Sequence, residues 1–133
     1  MKSSVSVENY LETILVLSQK KPYVRSVDVC EALHFKKSSV SVAMKHLREK
    51  NHITVSPEGY LMLTDSGREI AETIYERHQL IYASLIQLGV DEKIAYQDAC
   101  RIEHWLSPES YAALKKHLDE SGKSTVIVHE PHD

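Results

Sequence analysis

The stretch SVDVCEALHFKKSSVSVAMKHLREKNHITVSPEGYLML, residues 26–63, decides the fold. Ser26 stands where it could cap a short helix bearing Val29, Cys30 and Leu33, and residues 34–37 make a tight connection into a second helix capped by Ser38 or Ser39. In that second helix Val40, Ala43, Met44 and Leu47 follow i, i+3, i+4, i+7, a single buried stripe. Its other side presents Ser38, Ser41, Val42, Lys45 and Arg48, with Lys36 and Lys37 at its start. After Asn51 the period shortens to strand-like runs at residues 53–55 and 60–63, separated by Ser56-Pro57-Glu58-Gly59, which is turn chemistry. Two short helices and a hairpin in this order predict a winged helix-turn-helix, whose second helix enters the major groove of DNA.

Upstream, Tyr10, Leu11, Ile14, Leu15 and Leu17 recur at helical spacing and predict a helix over residues 5–19, with Pro22 in the break that follows. Downstream, Thr64-Asp65 caps a long helix over residues 66–88 with an inward stripe of Ile70, Ile74, His78, Ile81, Leu85 and Leu88, closed by Gly89. Asp91 opens a helix reaching about residue 106, and Ser107-Pro108-Glu109 opens another to about residue 120. The predicted fold is mainly α: a winged helix-turn-helix over residues 1–64, an all-helical domain over 65–120, and a polar tail over 121–133. The tail holds one β-branched run, residues 125–128, as a weak edge strand, and its His129 and His132 read as polar tail residues. The two halves are expected to pack through the first and the long helix.

Charge separates the halves. The chain carries a formal net charge of −3, yet residues 20–50 hold eight Lys or Arg against three acids, and residues 65–120 hold six against eleven. A basic amino-terminal region can meet phosphate while an acidic second half offers carboxylates to cations. With 42% hydrophobic and 26% charged residues, no apolar run reaches the roughly 18 residues a membrane span needs. No signal peptide opens the chain, so the cytoplasm is expected, with Cys30 and Cys100 as reduced thiols.

Cys100, Glu103 and His104 stand at i, i+3 and i+4, so thiolate, carboxylate and imidazole would leave one helix face together. His78 on the inward stripe must be hydrogen-bonded or ligate something. Taken singly it reads as a satisfied core histidine, and the trio as a buried thiol beside a surface ion pair. With Asn9 and Glu12 on the first helix, however, six donors could converge from three helices on one transition-metal ion.

The chain resembles the diphtheria-toxin-repressor family of iron- and manganese-dependent transcriptional repressors. The matching stretches are Glu8-Asn9-Tyr10-Leu11-Glu12-Thr13-Ile14, Ser38-Ser39-Val40-Ser41, Leu63-Thr64-Asp65-Ser66-Gly67, Arg77-His78, and the most specific, Asp98-Ala99-Cys100-Arg101-Ile102-Glu103-His104-Trp105-Leu106-Ser107. Similarity runs over residues 5–119 and implies the short, two-domain form. The resemblance implies a principal metal site at Asn9, Cys100, Glu103 and His104, to which manganese-type members add Glu12 and His78. Asn9 departs from both types, which carry methionine or aspartate there, while Cys100 is the iron-type residue. Tyr82 and Tyr96 replace the carboxylate and imidazole of the second, ancillary site of iron-type members, leaving that site incomplete.

A thiolate beside imidazole and carboxylate disfavours a preference for the hard Mn²⁺ and favours Fe²⁺, with Mn²⁺ next and Co²⁺, Ni²⁺ or Zn²⁺ as tight surrogates in vitro. The resemblance further implies a homodimer that grips a palindromic operator when loaded with metal. Lys36, Lys37, Lys45 and Arg48 would contact phosphates, and Ser38, Ser39 and Ser41 would approach phosphates or base edges. Two other readings compete: a winged-helix redox sensor using Cys100 without metal, and more remotely a small zinc hydrolase. The hydrolase lacks a substrate loop and leaves a basic helix-turn-helix without a purpose, so the chain is not expected to be an enzyme.

Overall fold

The computed structural model describes residues 4–120, which places the expected strand at residues 125–128, with His129 and His132, outside the described residues. The elements are α1 (Val5–Lys20), α2 (Ser26–Leu33), α3 (Lys37–Glu49), β1 (Ile53–Val55), β2 (Leu61–Leu63), α4 (Asp65–Gln87), α5 (Glu92–Ile102) and α6 (Pro108–Glu120). The chain divides into two compact units, one ending at Thr73 and the other beginning at Ile74, inside α4.

In the first unit α1 starts on Ser4, whose hydroxyl accepts the Val7 N–H at 3.1 Å, and buries Tyr10, Leu11, Ile14 and Leu15. Helices α1, α2 and α3 pack on one another, with Val29, Val40, Met44 and Leu47 buried. Both expected serine caps need correction. Arg25 caps α2, because the Asp28 carboxylate one turn later accepts the Arg25 N–H at 2.8 Å and takes over the role assigned to Ser26. Lys36 caps α3 without a side-chain hydrogen bond, so Ser38 and Ser39 fall inside its first turn. Between them His34 closes α2 in the left-handed region, φ +58°.

The hairpin pairs β1 and β2 antiparallel in the register Ile53↔Leu63, Thr54↔Met62 and Val55↔Leu61. Gly59, at φ +87°, makes the tight turn, and the Ser56 hydroxyl accepts the Tyr60 N–H at 3.0 Å. The Leu61 N–H also reaches the Val24 carbonyl at 2.7 Å, tying the wing to the segment before α2. Beside that contact Tyr23 stacks on Tyr60 at 4.4 Å and the Arg25 guanidinium lies 4.8 Å from the Tyr60 ring centre.

Thr64 opens α4 as its spacing predicts: its hydroxyl accepts the Gly67 N–H and its carbonyl the Arg68 N–H. In the second unit Ile81, Tyr82, Ala95 and Ala99 form a core, packed by Leu85, Ile86, Val90, Tyr96 and Leu106. Leu88 corrects the expected stripe, since α4 ends at Gln87 and Leu88, 78% exposed, stands in the turn before Gly89. Asp91 caps α5 by accepting from the Lys93 and Ile94 N–H groups. That helix ends at Ile102, four residues short of the expected limit, and in the turn that follows the N–H groups of Trp105 and Leu106 share the Ile102 carbonyl. Ser107 caps α6 through the Ser110 N–H at 3.1 Å, with Pro108 at its first position. Among the described residues no helix is long and apolar enough to cross a membrane.

Candidate functional site

His78 points inward because it shares the α4 stripe with Ile74, Ile81 and Tyr82, all buried. Cys100 follows the buried Ala99 on α5, and Glu103 and His104 occupy the turn just beyond it rather than a helix face. Glu103 keeps a helical backbone and its N–H still bonds to Ala99, so the expected i, i+3 relation to Cys100 survives the end of the helix.

Glu103 is 1% exposed and His78 5% exposed. A carboxylate so far from water needs strong compensation. His78 Nδ1 lies 2.8 Å from Glu103 Oε1, and in the tautomer with its proton on Nδ1 the imidazole donates to the carboxylate. Cys100 Sγ is 3.9 Å from the same nitrogen, and His104 Nε2 is 3.7 Å from the other carboxylate oxygen, Oε2. The donor atoms of His78, Cys100 and Glu103 all lie within 4.8 Å of one another, and His104 borders this group through Glu103.

These residues fit a metal ion. Bonds of about 2.0–2.3 Å to nitrogen, oxygen and sulfur put two donors of one ion roughly 3–4 Å apart, close to the observed spacings. The thiolate, imidazole and carboxylate set is also that of a transition-metal site rather than of calcium or magnesium. Two tyrosines wall His78: the Tyr96 ring meets it edge-on at 5.0 Å and the Tyr82 ring lies parallel at 6.5 Å. Burial, and then the charge of and hydrogen bond to Glu92, push the Tyr82 phenol above its ordinary value, so this wall stays neutral. Asn9 and Glu12 lie one turn apart on α1 in the first unit, both half-buried.

In the same first unit Lys36, Lys37, Ser38, Ser39, Ser41, Lys45 and Arg48 are all exposed, while Val40, Met44 and Leu47 of the same helix are buried. The outward side of α3 is therefore basic and rich in hydroxyls. Sequence spacing placed the donors but not Arg77, whose guanidinium donates to the Leu106 carbonyl across 29 positions of chain. No periodic pattern carries a side-chain bond to a loop carbonyl that distant.

A winged helix-turn-helix with a basic recognition face, in one chain with a helical unit that gathers transition-metal donors, defines a class: DNA-binding proteins with a metal-type effector site. Comparison with known proteins gives the family. Residues 2–61 match the model of the iron-dependent repressor N-terminal DNA-binding domain, and residues 64–125 that of the iron-dependent repressor metal-binding and dimerisation domain. The chain belongs to the iron-dependent repressor family, whose members are transcriptional regulators. It is 33% identical to an HTH-type transcriptional regulator of Methanocaldococcus jannaschii, over 88% of this chain and 95% of the relative. It is 33% identical to the HTH-type transcriptional regulator MntR of Bacillus pumilus, over 91% and 86%. The crystal structure of T. acidophilum IdeR is similar with a TM-score of 0.79 at 25% identity, over 88% of this chain and 55% of that one. This chain thus spans about half the length of that solved neighbour.

Proposed function

We propose that this chain is a metal-activated transcriptional repressor that binds palindromic operator DNA as a homodimer in the cytoplasm. The observation that carries the reading is the meeting of His78, Cys100 and Glu103 from α4, α5 and the following turn, in a chain whose α3 turns a basic face outward. His104 completes the set from the second unit, and Glu12 and Asn9 from α1, Asn9 through its neutral carbonyl oxygen. The domains are 1–64 for DNA and 65–120 for metal and dimerisation, with 121–133 as a tail.

A bound divalent ion supplies the charge that compensates the Glu103 carboxylate and the Cys100 thiolate in a site with little access to water. To hold it through Nδ1, a neutral His78 would carry its ring proton on Nε2 instead, and Cys100 would lose its thiol proton. Loading therefore releases protons and weakens as pH falls through the ordinary histidine range near 6.5. The thiolate favours Fe²⁺ over the harder Mn²⁺, which stands second in this reading, with Co²⁺, Ni²⁺ and Zn²⁺ as surrogates in vitro.

On DNA, Lys36, Lys37, Lys45 and Arg48 bind phosphate, and Ser38, Ser39 and Ser41 approach phosphates and base edges at the start of α3. Two-fold symmetry doubles these contacts across half-sites about 34 Å apart. Coupling of about 1–3 kcal/mol between metal and DNA suffices for a several-fold to hundredfold switch. The test is the absorption spectrum of the anaerobic cobalt complex. A thiolate-to-metal charge-transfer band that disappears in Cys100→Ser supports the ligand set, and a spectrum unchanged by that substitution removes Cys100 from it.

A further inference from the structure

Glu103 and His104 stand in the turn between α5 and α6, just beyond the end of α5. Local backbone bonds to the Ile102 carbonyl shape the turn, but they do not set its distance from α4, which supplies His78. Two neighbouring side chains of α4 reach the turn: His78, through its contact with Glu103, and Arg77, which acts on the backbone. Arg77, the neighbour of His78 on α4, donates through Nη1 to the Leu106 carbonyl, two residues beyond His104. Its guanidinium also lies 5.9 Å from the centre of the Tyr111 ring on α6, and Arg77 itself is half-buried.

We propose that Arg77 is a positioning residue for the metal centre: it anchors the ligand-bearing turn to α4 so that Glu103 and His104 stay at ligating distance from His78. This inference rests on the proposal that His78, Cys100 and Glu103 take a metal. A charged donor on a carbonyl is among the stronger single hydrogen bonds, and the planar guanidinium fork is pre-organised for it. Because Arg77 and His78 are consecutive on one rigid helix, the anchor and the ligand cannot drift apart. Without the anchor the turn samples positions in which the donors no longer share a centre, and binding must then order it.

The test is Co²⁺ titration of the full-length protein, comparing wild type with Arg77→Met, which keeps the apolar stem, and with Arg77→Gln and Arg77→Lys, beside Cys100→Ser and His78→Ala as references. The expected result is a loss of Co²⁺ affinity of about 10- to 100-fold in Arg77→Met, the range found when partners outside the ligand set are removed. Faster release to a chelator and altered cobalt d–d bands should accompany the loss, and Arg77→Lys, which restores a donor to the carbonyl, should recover most of the affinity. Apo-protein melting temperatures separate this from general destabilisation, and if Arg77→Met does not fold, Arg77→Gln decides. Wild-type affinity and spectrum in the folded Arg77 variant, with binding lost in the two reference variants, overturns the anchor alone. Wild-type binding in both reference variants overturns the metal reading and the anchor with it.

Discussion

His78 Nδ1 and Glu103 Oε1, 2.8 Å apart and 25 residues apart in sequence, join α4 to the turn after α5 inside a shell that leaves neither side chain more than 6% exposed. A buried partner left alone is costly, so this contact is both a structural pair and a metal-type donor pair. Glu103→Gln keeps the shape and a hydrogen-bond acceptor for His78 but removes the charge. The expected outcome is a folded protein whose Co²⁺ affinity falls by at least about 100-fold, roughly 2.7 kcal/mol, measured by competition with a chelator. A sensor working only through oxidation of Cys100 would tolerate this substitution.

The exposed face of α3 makes an independent prediction. Lys45→Ala and Arg48→Ala remove charges that touch no buried side of the helix, so thermal stability should move by no more than about 0.5 kcal/mol. Each should lower the slope of log K against log salt for operator binding by about 1 and weaken binding similarly across sequences. Val40→Ala on the buried face of the same helix should do the reverse, lowering stability by about 1–3 kcal/mol without changing the salt slope of the folded fraction.

Gly67 meets the wing through its missing side chain. A Cβ there would stand 1.9 Å from the His52 carbonyl oxygen, which already accepts the Thr64 N–H at 3.1 Å. The obstruction is backbone, so the junction of β2 with α4 must shift. Gly67→Ala is expected to lower stability by about 1–3 kcal/mol in urea melts despite the better helix propensity of alanine.

Asp28 gives the chain an acid-sensitive contact. Burial raises its carboxyl, but the hydrogen bonds from Lys21 and the Arg25 backbone, with the charges of both residues, outweigh it and hold the group below its ordinary value. With the folded value below an unfolded one near 3.9, the contact contributes fully above about pH 5 and is lost as pH drops through the folded value. Asp28→Asn should therefore cost about 1 kcal/mol in urea melts at pH 7, and the cost should shrink steadily as pH is lowered below about 4.

Much of this was legible in residue spacing. Val40, Met44 and Leu47 fix the rotation of α3, Ser56 to Gly59 fix the wing turn, and Thr64 and Pro108 mark helix starts, because each signal is local. The inward position of His78 was legible for the same reason, and so was the i, i+3 relation of Cys100 to Glu103. What spacing missed is what distant groups decide. The Asp28 carboxylate on the Arg25 N–H moves the cap of α2 to Arg25 in place of Ser26, and α5 ends at Ile102, before Glu103. The bond from Arg77 to Leu106 depends on two elements that no local pattern relates.

The most direct measurement is the affinity of the purified apo-protein for its own upstream DNA during anaerobic titration with Fe²⁺ or Mn²⁺. The account predicts that metal tightens binding by about 5- to 150-fold, saturating with the filling of the site and more readily with Fe²⁺. Equal DNA affinity with and without metal would contradict it.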